Sequence, residues 1–250
     1  MTVDWKPVPP EGERESRRYI DYFTRNGITR GSILKSVELT YARSNVFFDD
    51  TYTYFEKTGT FNVACTKGCA MCCHTMVSVV PPEAFYLADY IKTQFDADAS
   101  RAMIDRIVAH DAENRGKSGA ARHIGHIACP MLDPETHLCT VHAARPLTCR
   151  SMHSGDVSAC RTAFDTRDAY HPAPSHALFF ANTQAYYDAF GTALYNSGLH
   201  VEPLELNAAL STIFTGKNVF VRWLKGENPF EEALADTALT DAPPPETPPA

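Results

Sequence analysis

The sequence predicts a mainly α-helical domain folded around an irregular, cysteine-rich segment. Three observations carry this prediction. Apolar residues recur at helical spacing on both sides of the middle of the chain. All eight cysteines fall between Cys65 and Cys160. Residues 117–175 follow neither a helical nor a strand period and carry Pro130, Pro134, Pro146, Pro172 and Pro174. So long a stretch without regular structure is unusual in a compact domain unless something organises it.

Taken in order, residues 1–16 are polar and proline-containing and read as a flexible arm. From Arg17 to about Gly27, Tyr19, Ile20, Tyr22 and Phe23 suit a short helix closed by Asn26 and Gly27. A second helix is expected from Ser32, a good cap, through Ile33, Leu34, Val37 and Leu39. Between Thr51 and Tyr54 the Thr and Tyr residues suit either its continuation or an extended segment. Pro81, Pro82 and Glu83 open a clearer helix, because proline at the first helical position and an early acid both favour an N-terminus. Ala84, Leu87, Ala88, Ile91 and Phe95 then form one apolar face. Another helix is expected from Ser100, with Met103, Ile104, Ile107 and Val108 inward, ending before Gly116. Past the irregular segment, a long helix is expected from Ser175 to Gly198, with shorter ones over 202–214 and 218–225. The organisation expected is an arm (1–16), one helical domain (17–235) holding the cysteine region (61–160), and a disordered Pro-rich tail (236–250).

Composition narrows the function classes. The chain has 250 residues, 44% hydrophobic and 11% aromatic, enough for a real core. Its formal net charge is -7 and no Lys/Arg run makes a nucleic-acid footprint, so no DNA or RNA partner is expected. Apolar stretches such as Ala177–Ala181 fall far short of the ~20 residues of a membrane helix, so no membrane role is expected. The opening MTVDWKPVPPEGERESRR has no apolar targeting core, which predicts a cytoplasmic protein. In a reducing compartment, eight cysteines suit metal ligation better than disulfides.

The first group is Cys65-x3-Cys69-x2-Cys72-Cys73-His74. On a helix these thiols would share one face, but at 1.5 Å per residue they would span roughly 12 Å. One zinc with bonds to sulfur of about 2.3 Å cannot collect all four. Either the backbone loops around a metal, which Gly68 permits, or a distant segment completes the site. That segment reads Cys129-Pro-Met-Leu-Asp, then Cys139, then Arg145-Pro-Leu-Thr-Cys149-Arg150, with Cys160 beyond. Soft thiolates suit zinc and iron–sulfur centres alike. Structural zinc sites use paired C-x2-4-C knuckles, whereas the second group here has gaps of ten, ten and eleven residues. A proline directly after a cysteine occurs beside cluster ligands in ferredoxins. An iron–sulfur cluster, [4Fe-4S] in type, is the cofactor expected, with zinc as the alternative. Eight cysteines could also make two sites.

These residues resemble the YkgJ-type cysteine-cluster family of zinc- or iron-chelating domains. The resemblance rests on the CxxxCxxCC group at Cys65–Cys73, Glu83, the CPMLD stretch at Cys129–Asp133, Cys139 and the RPLTCR stretch at Arg145–Arg150. It covers about residues 61–160. Family members write the first group as CxxCGxCC, whereas here the first gap is longer and Ala70 follows Cys69. One relative, the flagellin lysine methylase, looks similar in the cluster region, which implies a [4Fe-4S] centre and methyl transfer to protein lysines as an alternative function. The expected metal ligands are Cys65, Cys69, Cys72, Cys73, Cys129, Cys139 and Cys149, with substitution of Cys160 the mildest.

His74, His126, His137, His142 and His153 sit near the cysteines and read more readily as hydrogen-bonding neighbours than as ligands. Met71, Met76, Met131 and Met152 would suit copper(I), but methionine more often fills irregular gaps. Arg145 and Arg150 could offset thiolate charge or hold a carboxylate such as Asp133 or Glu83. Three functional classes follow: a binding or redox module, a cluster-dependent enzyme acting on a protein or small molecule, and a zinc- or iron-handling protein. Catalytic residues and the protein partner or substrate stay unassigned.

Overall fold

The structure is a computed structural model that describes residues 6–235. It is mainly helical, as the sequence predicts. The expected tail over 236–250 lies outside the described residues.

Helix α1 spans Gly12–Asn26 and begins ahead of the expected Arg17, burying Glu15, Ser16, Tyr19 and Phe23. Helix α2 runs unbroken over Arg30–Thr58. Its cap is Thr29 rather than Ser32: the Thr29 side chain accepts from Ser32 N–H, and the Ser32 hydroxyl accepts from Thr29 N–H, a reciprocal capping box. The Thr and Tyr residues over 51–54 continue the helix because Thr51 and Phe55 turn inward, where burial outweighs their weak helix propensity. Gly59, left-handed at φ 65°, ends it.

Helix α3 (Pro81–Gln94) starts at its prolines and buries Ala84, Leu87, Ala88 and Ile91, the predicted face. Helix α4 (Ala97–Asn114) is capped by Asp96, a few residues ahead of the expected Ser100. The region expected to be irregular holds three short helices, α5 (Gly119–Ile124), α6 (Leu147–Ser151) and α7 (Val157–Thr166). Helices α8 (Ala177–Tyr195), α9 (Leu206–Thr215) and α10 (Val219–Leu224) follow.

Helix α8 packs on α1, α2 and α6, while α9 packs on α3 and α4. Their shared core includes Ile33, Val37, Leu87, Ile91, Ile107, Phe190 and Leu210. A smaller cluster of Phe48, Phe55 and Phe179, with Phe61 and Val63 against it, anchors the chain that leads into Cys65. Strands β1 (Ser78–Val79) and β2 (Leu204–Glu205) pair antiparallel, with Ser78 opposite Glu205 and Val79 opposite Leu204. This short clamp had no signal in the sequence. It fixes the exit of the first cysteine group against the C-terminal helices.

Candidate metal centre

The first cysteine group is not a helix. Ala64 N–H donates to the Ser154 carbonyl at 2.8 Å, and Ser154 N–H donates to Cys65 Sγ at 3.3 Å, so Cys65 lies against the segment entering α7. The backbone then turns through Gly68, left-handed at φ 88°, with Cys69 N–H donating to the Thr66 carbonyl. Met71–His74 form a single 3-10 turn that carries Cys72 and Cys73. The backbone thus turns at Gly68 instead of running on as one helix.

The second group comes to the first through the backbone. Cys129 N–H donates to the Cys73 carbonyl at 2.8 Å. A bridge between Leu132 and Cys139 closes a small loop in which Asp133 accepts from the N–H groups of Glu135 and Thr136. Asp133 therefore shapes this loop. Cys149 sits on α6, whose start is fixed by Glu83: the fully buried carboxylate accepts from Leu147 N–H at 2.8 Å and from the Tyr41 hydroxyl at 3.0 Å. Burial pushes the Glu83 carboxyl above its usual range.

All eight cysteines are free thiols. Burial pushes Cys65, Cys69, Cys139 and Cys149 up, and Cys129 up to about 12. For Cys72 the first cause of an upward shift is the hydrogen bond with Cys73, and burial adds to it. The thiols interact electrostatically in two overlapping sets. Cys65 and Cys69 feel each other's neighbours Cys72 and Cys160, while Cys149 feels Cys129, Cys139 and Cys72. Cys160, left out of the expected ligands, thus stands with the first group, brought there by α7.

The two arginines of the RPLTCR stretch divide their work. Arg150 donates to the carbonyls of Arg145 and Ala143 and to Asn45, and lies over the Tyr41 ring at 4.3 Å. It staples α6 to α2. Arg145 opposes the upward shifts of Cys72, Cys139 and Cys149, and its buried Nε makes no hydrogen bond among the described residues. It is a cation that opposes the upward shift of three of the thiols, as Arg161 does for Cys69 and Arg122 for Cys129.

Among the histidines, both nitrogens of His153 are engaged, by the Ser151 carbonyl and by His176 N–H. His126 stacks on Phe164 at 3.9 Å and contacts its carbonyl through Nε2. His74 contacts the Ala70 carbonyl through Nδ1 and packs edge-on against Phe164, and burial lowers its pKa. His123 joins this group through the Ala163 carbonyl, although the sequence did not single it out. Met131 is buried, Met71 and Met76 are half-buried and Met152 is exposed, a gap-filling pattern.

A buried ion pair beside Cys129 was also missed. Arg122 Nη1 donates to Glu205 Oε1 at 3.0 Å, and Glu205 Oε2 accepts from Ala208 N–H at 2.8 Å, capping α9. Nothing in GKSGAAR separates this arginine from a surface one. The capping position of Glu205 ahead of Asn207-Ala208-Ala209-Leu210 was the one usable signal.

The donor set suits a thiophilic metal by chemistry: eight unbridged sulfurs, with the Arg145 guanidinium opposing the upward shift of Cys149. Among the described residues no three His, Cys, Asp or Glu side chains already converge closely enough to hold a metal ion. Outside the thiols, a cleft of about 840 Å³ opens beside Cys69, lined also by Lys67, His74, His137, Arg161 and Phe164.

A helical frame carrying two cysteine-bearing segments that meet is the class of protein these features define. Residues 64–170 match the CxxCxxCC family model, described as a "putative zinc- or iron-chelating domain". The match takes in all eight cysteines. No curated protein and no solved structure matches.

Proposed function

We propose that this chain binds iron through its cysteines as an iron–sulfur centre of the [4Fe-4S] type and serves in a redox or accessory role with a protein partner. The observation that supports iron–sulfur over zinc is how the inner thiols arrive. Cys129, Cys139 and Cys149 come singly from an irregular stretch, a β-bridge and helix α6, rather than as paired knuckles. Such a centre supplies one-electron chemistry when bound. The chain's own part is to hold sulfurs and tune their charge. The Arg145 guanidinium offsets thiolate charge, Glu83 fixes the helix of Cys149, and the Arg122–Glu205 pair stiffens the wall behind Cys129.

Loading must displace protons from thiols that burial holds neutral, so affinity rises with pH. Free thiols of this kind fit a reducing compartment such as the cytoplasm. Among the described residues no helix is long and apolar enough to cross a membrane. A second reading, a cluster-dependent enzyme, draws on one feature, the cleft beside Cys69.

Metal and acid-labile sulfide analysis of anaerobically purified protein, beside its absorbance spectrum, tests the first reading. Iron with matching sulfide is expected, reduced in Cys69→Ser and in Cys149→Ser. Stoichiometric zinc in a colourless protein would reverse the preference. Neither metal in carefully reduced protein would sink both.

A further inference from the structure

We propose that the cleft beside Cys69 is a binding site for a small amphipathic anion, a carboxylate or phosphate carried on an apolar body. This goes beyond the metal reading and depends neither on which metal the thiols hold nor on their holding one.

The cleft measures about 840 Å³, within the span of roughly 300–1,000 Å³ typical of small-molecule sites. Three segments line it, each fixed by its own hydrogen bonds. The turn at Gly68 is closed by Cys69 N–H donating to the Thr66 carbonyl at 3.0 Å. In the loop from Met131 to Thr140, His137 N–H donates to the Asp133 carbonyl and Thr140 N–H to that of Met131, both at 2.9 Å. Helix α7 is capped by Asp156, which accepts from the N–H groups of Ser158 and Ala159. At its other end the carbonyls of Ala163 and Phe164 meet Nε2 of His123 and His126, at 3.0 and 2.7 Å. Walls held in this way stand before a ligand arrives, which lowers the ordering cost of binding.

The lining is apolar at Met71, Leu132 and Phe164 and carries two full cations, Lys67 from the Gly68 turn and Arg161 from α7. Both are exposed, and neither makes a hydrogen bond or an ion pair among the described residues. Asp165 is the one acid among the described lining residues. It lies one turn along α7 from Arg161, yet the two form no ion pair. A local positive excess thus stands in a chain whose formal net charge is -7.

This lining selects among ligand chemistries. A neutral ligand leaves both cations unmatched, and a cation meets two repulsions against one attraction. A bare inorganic anion leaves the apolar lining in water. An anionic head on Lys67 and Arg161, to which the guanidinium can give two parallel hydrogen bonds, with an apolar body over Phe164, matches both parts.

The test is isothermal titration calorimetry on the full chain, purified anaerobically, with octanoate and octyl phosphate as probes. One equivalent of either or both should bind, the preferred head distinguishing carboxylate from phosphate, and 1-octanol and inorganic phosphate should bind at least about tenfold more weakly than the better probe. Lys67→Gln and Arg161→Gln should each weaken binding about tenfold, the lower end for a hydrogen bond to a charged group. Asp165→Asn should tighten it about twofold to threefold, a gain that a misfolded chain cannot mimic. Lys225→Gln, outside the cleft, should change nothing. Binding of 1-octanol as tight as that of octanoate, or binding unaltered in both Lys67→Gln and Arg161→Gln, would overturn the site. So would binding of neither amphiphile at millimolar concentration. Metal and sulfide per chain are read on the same samples: metal without anion binding removes the cleft site alone, and anion binding without metal removes the metal reading alone.

Discussion

In the helical frame, Ile33, Val37, Leu87, Ile91 and Ile107 are wholly buried against one another. Between Cys65 and Cys160, outside α3 and α4, many of the buried positions go instead to Arg122, Arg150, Ser151, His153 and Ser154. The frame's longer helices bury apolar faces. The helices of the cysteine region, α5, α6 and α7, run only over Gly119–Ile124, Leu147–Ser151 and Val157–Thr166. Isolated helices below about 12 residues are marginal in water. The difference teaches that the cysteine region draws its order from a few buried polar anchors, and that bound metal has more to add there than in the frame.

The largest effect should come from breaking an anchor. Arg122→Met leaves Glu205 buried without its cation and should lower the stability of the metal-free protein by about 3–5 kcal/mol in urea unfolding. Adding Glu205→Leu should restore most of it, whereas no recovery would mean that the pair is not the anchor. Next comes the frame: Leu87→Ala should cost about 2–5 kcal/mol through transfer and cavity terms. Metal per folded chain should stay at the wild-type level, and a drop would erase the distinction between the regions. Thr29→Ala removes one half of the capping box and should cost about 1 kcal/mol, with metal content unaffected.

The smallest effect is a slope. The Glu83 carboxyl is raised above its usual 4.5 by burial, so the folded chain takes up a proton before the unfolded chain does. This group's contribution is fully present below about 4.5 and is lost as pH rises through the raised value. Glu83→Gln should flatten that part of the stability profile between about pH 4.5 and neutrality, measured by denaturant midpoints. An unchanged profile would assign the slope to other groups.

Legibility in the sequence followed the same division. Pro81 and the spacing of Ala84, Leu87, Ala88 and Ile91 announced α3, because a regular period is written locally. The far end of α2 was ambiguous because Thr51–Tyr54 favours strand by propensity, and only packing decides it. Helices α5 to α7 escaped because five to ten residues hold too few turns to show a period. The eight cysteines were plain from type and confinement, but membership of Cys160 depended on where α7 lies, and the pairing of Arg122 with Glu205 spans a separation that no local pattern encodes.

Trp223 carries a consequence for spectroscopy. It is wholly buried on α10, beside Phe85 and Phe220, with its indole N–H donating to the His200 carbonyl at 2.7 Å. The other tryptophan, Trp5, lies outside the described residues. Trp223 emission should be blue-shifted in the native state, because the indole is buried, and should move to the red when the frame opens. Loosening of the cysteine region alone would leave the wavelength unchanged, and a coloured centre there would dim the light without shifting it. The molecule thus carries its own lamp on the frame, set apart from the chemistry it illuminates.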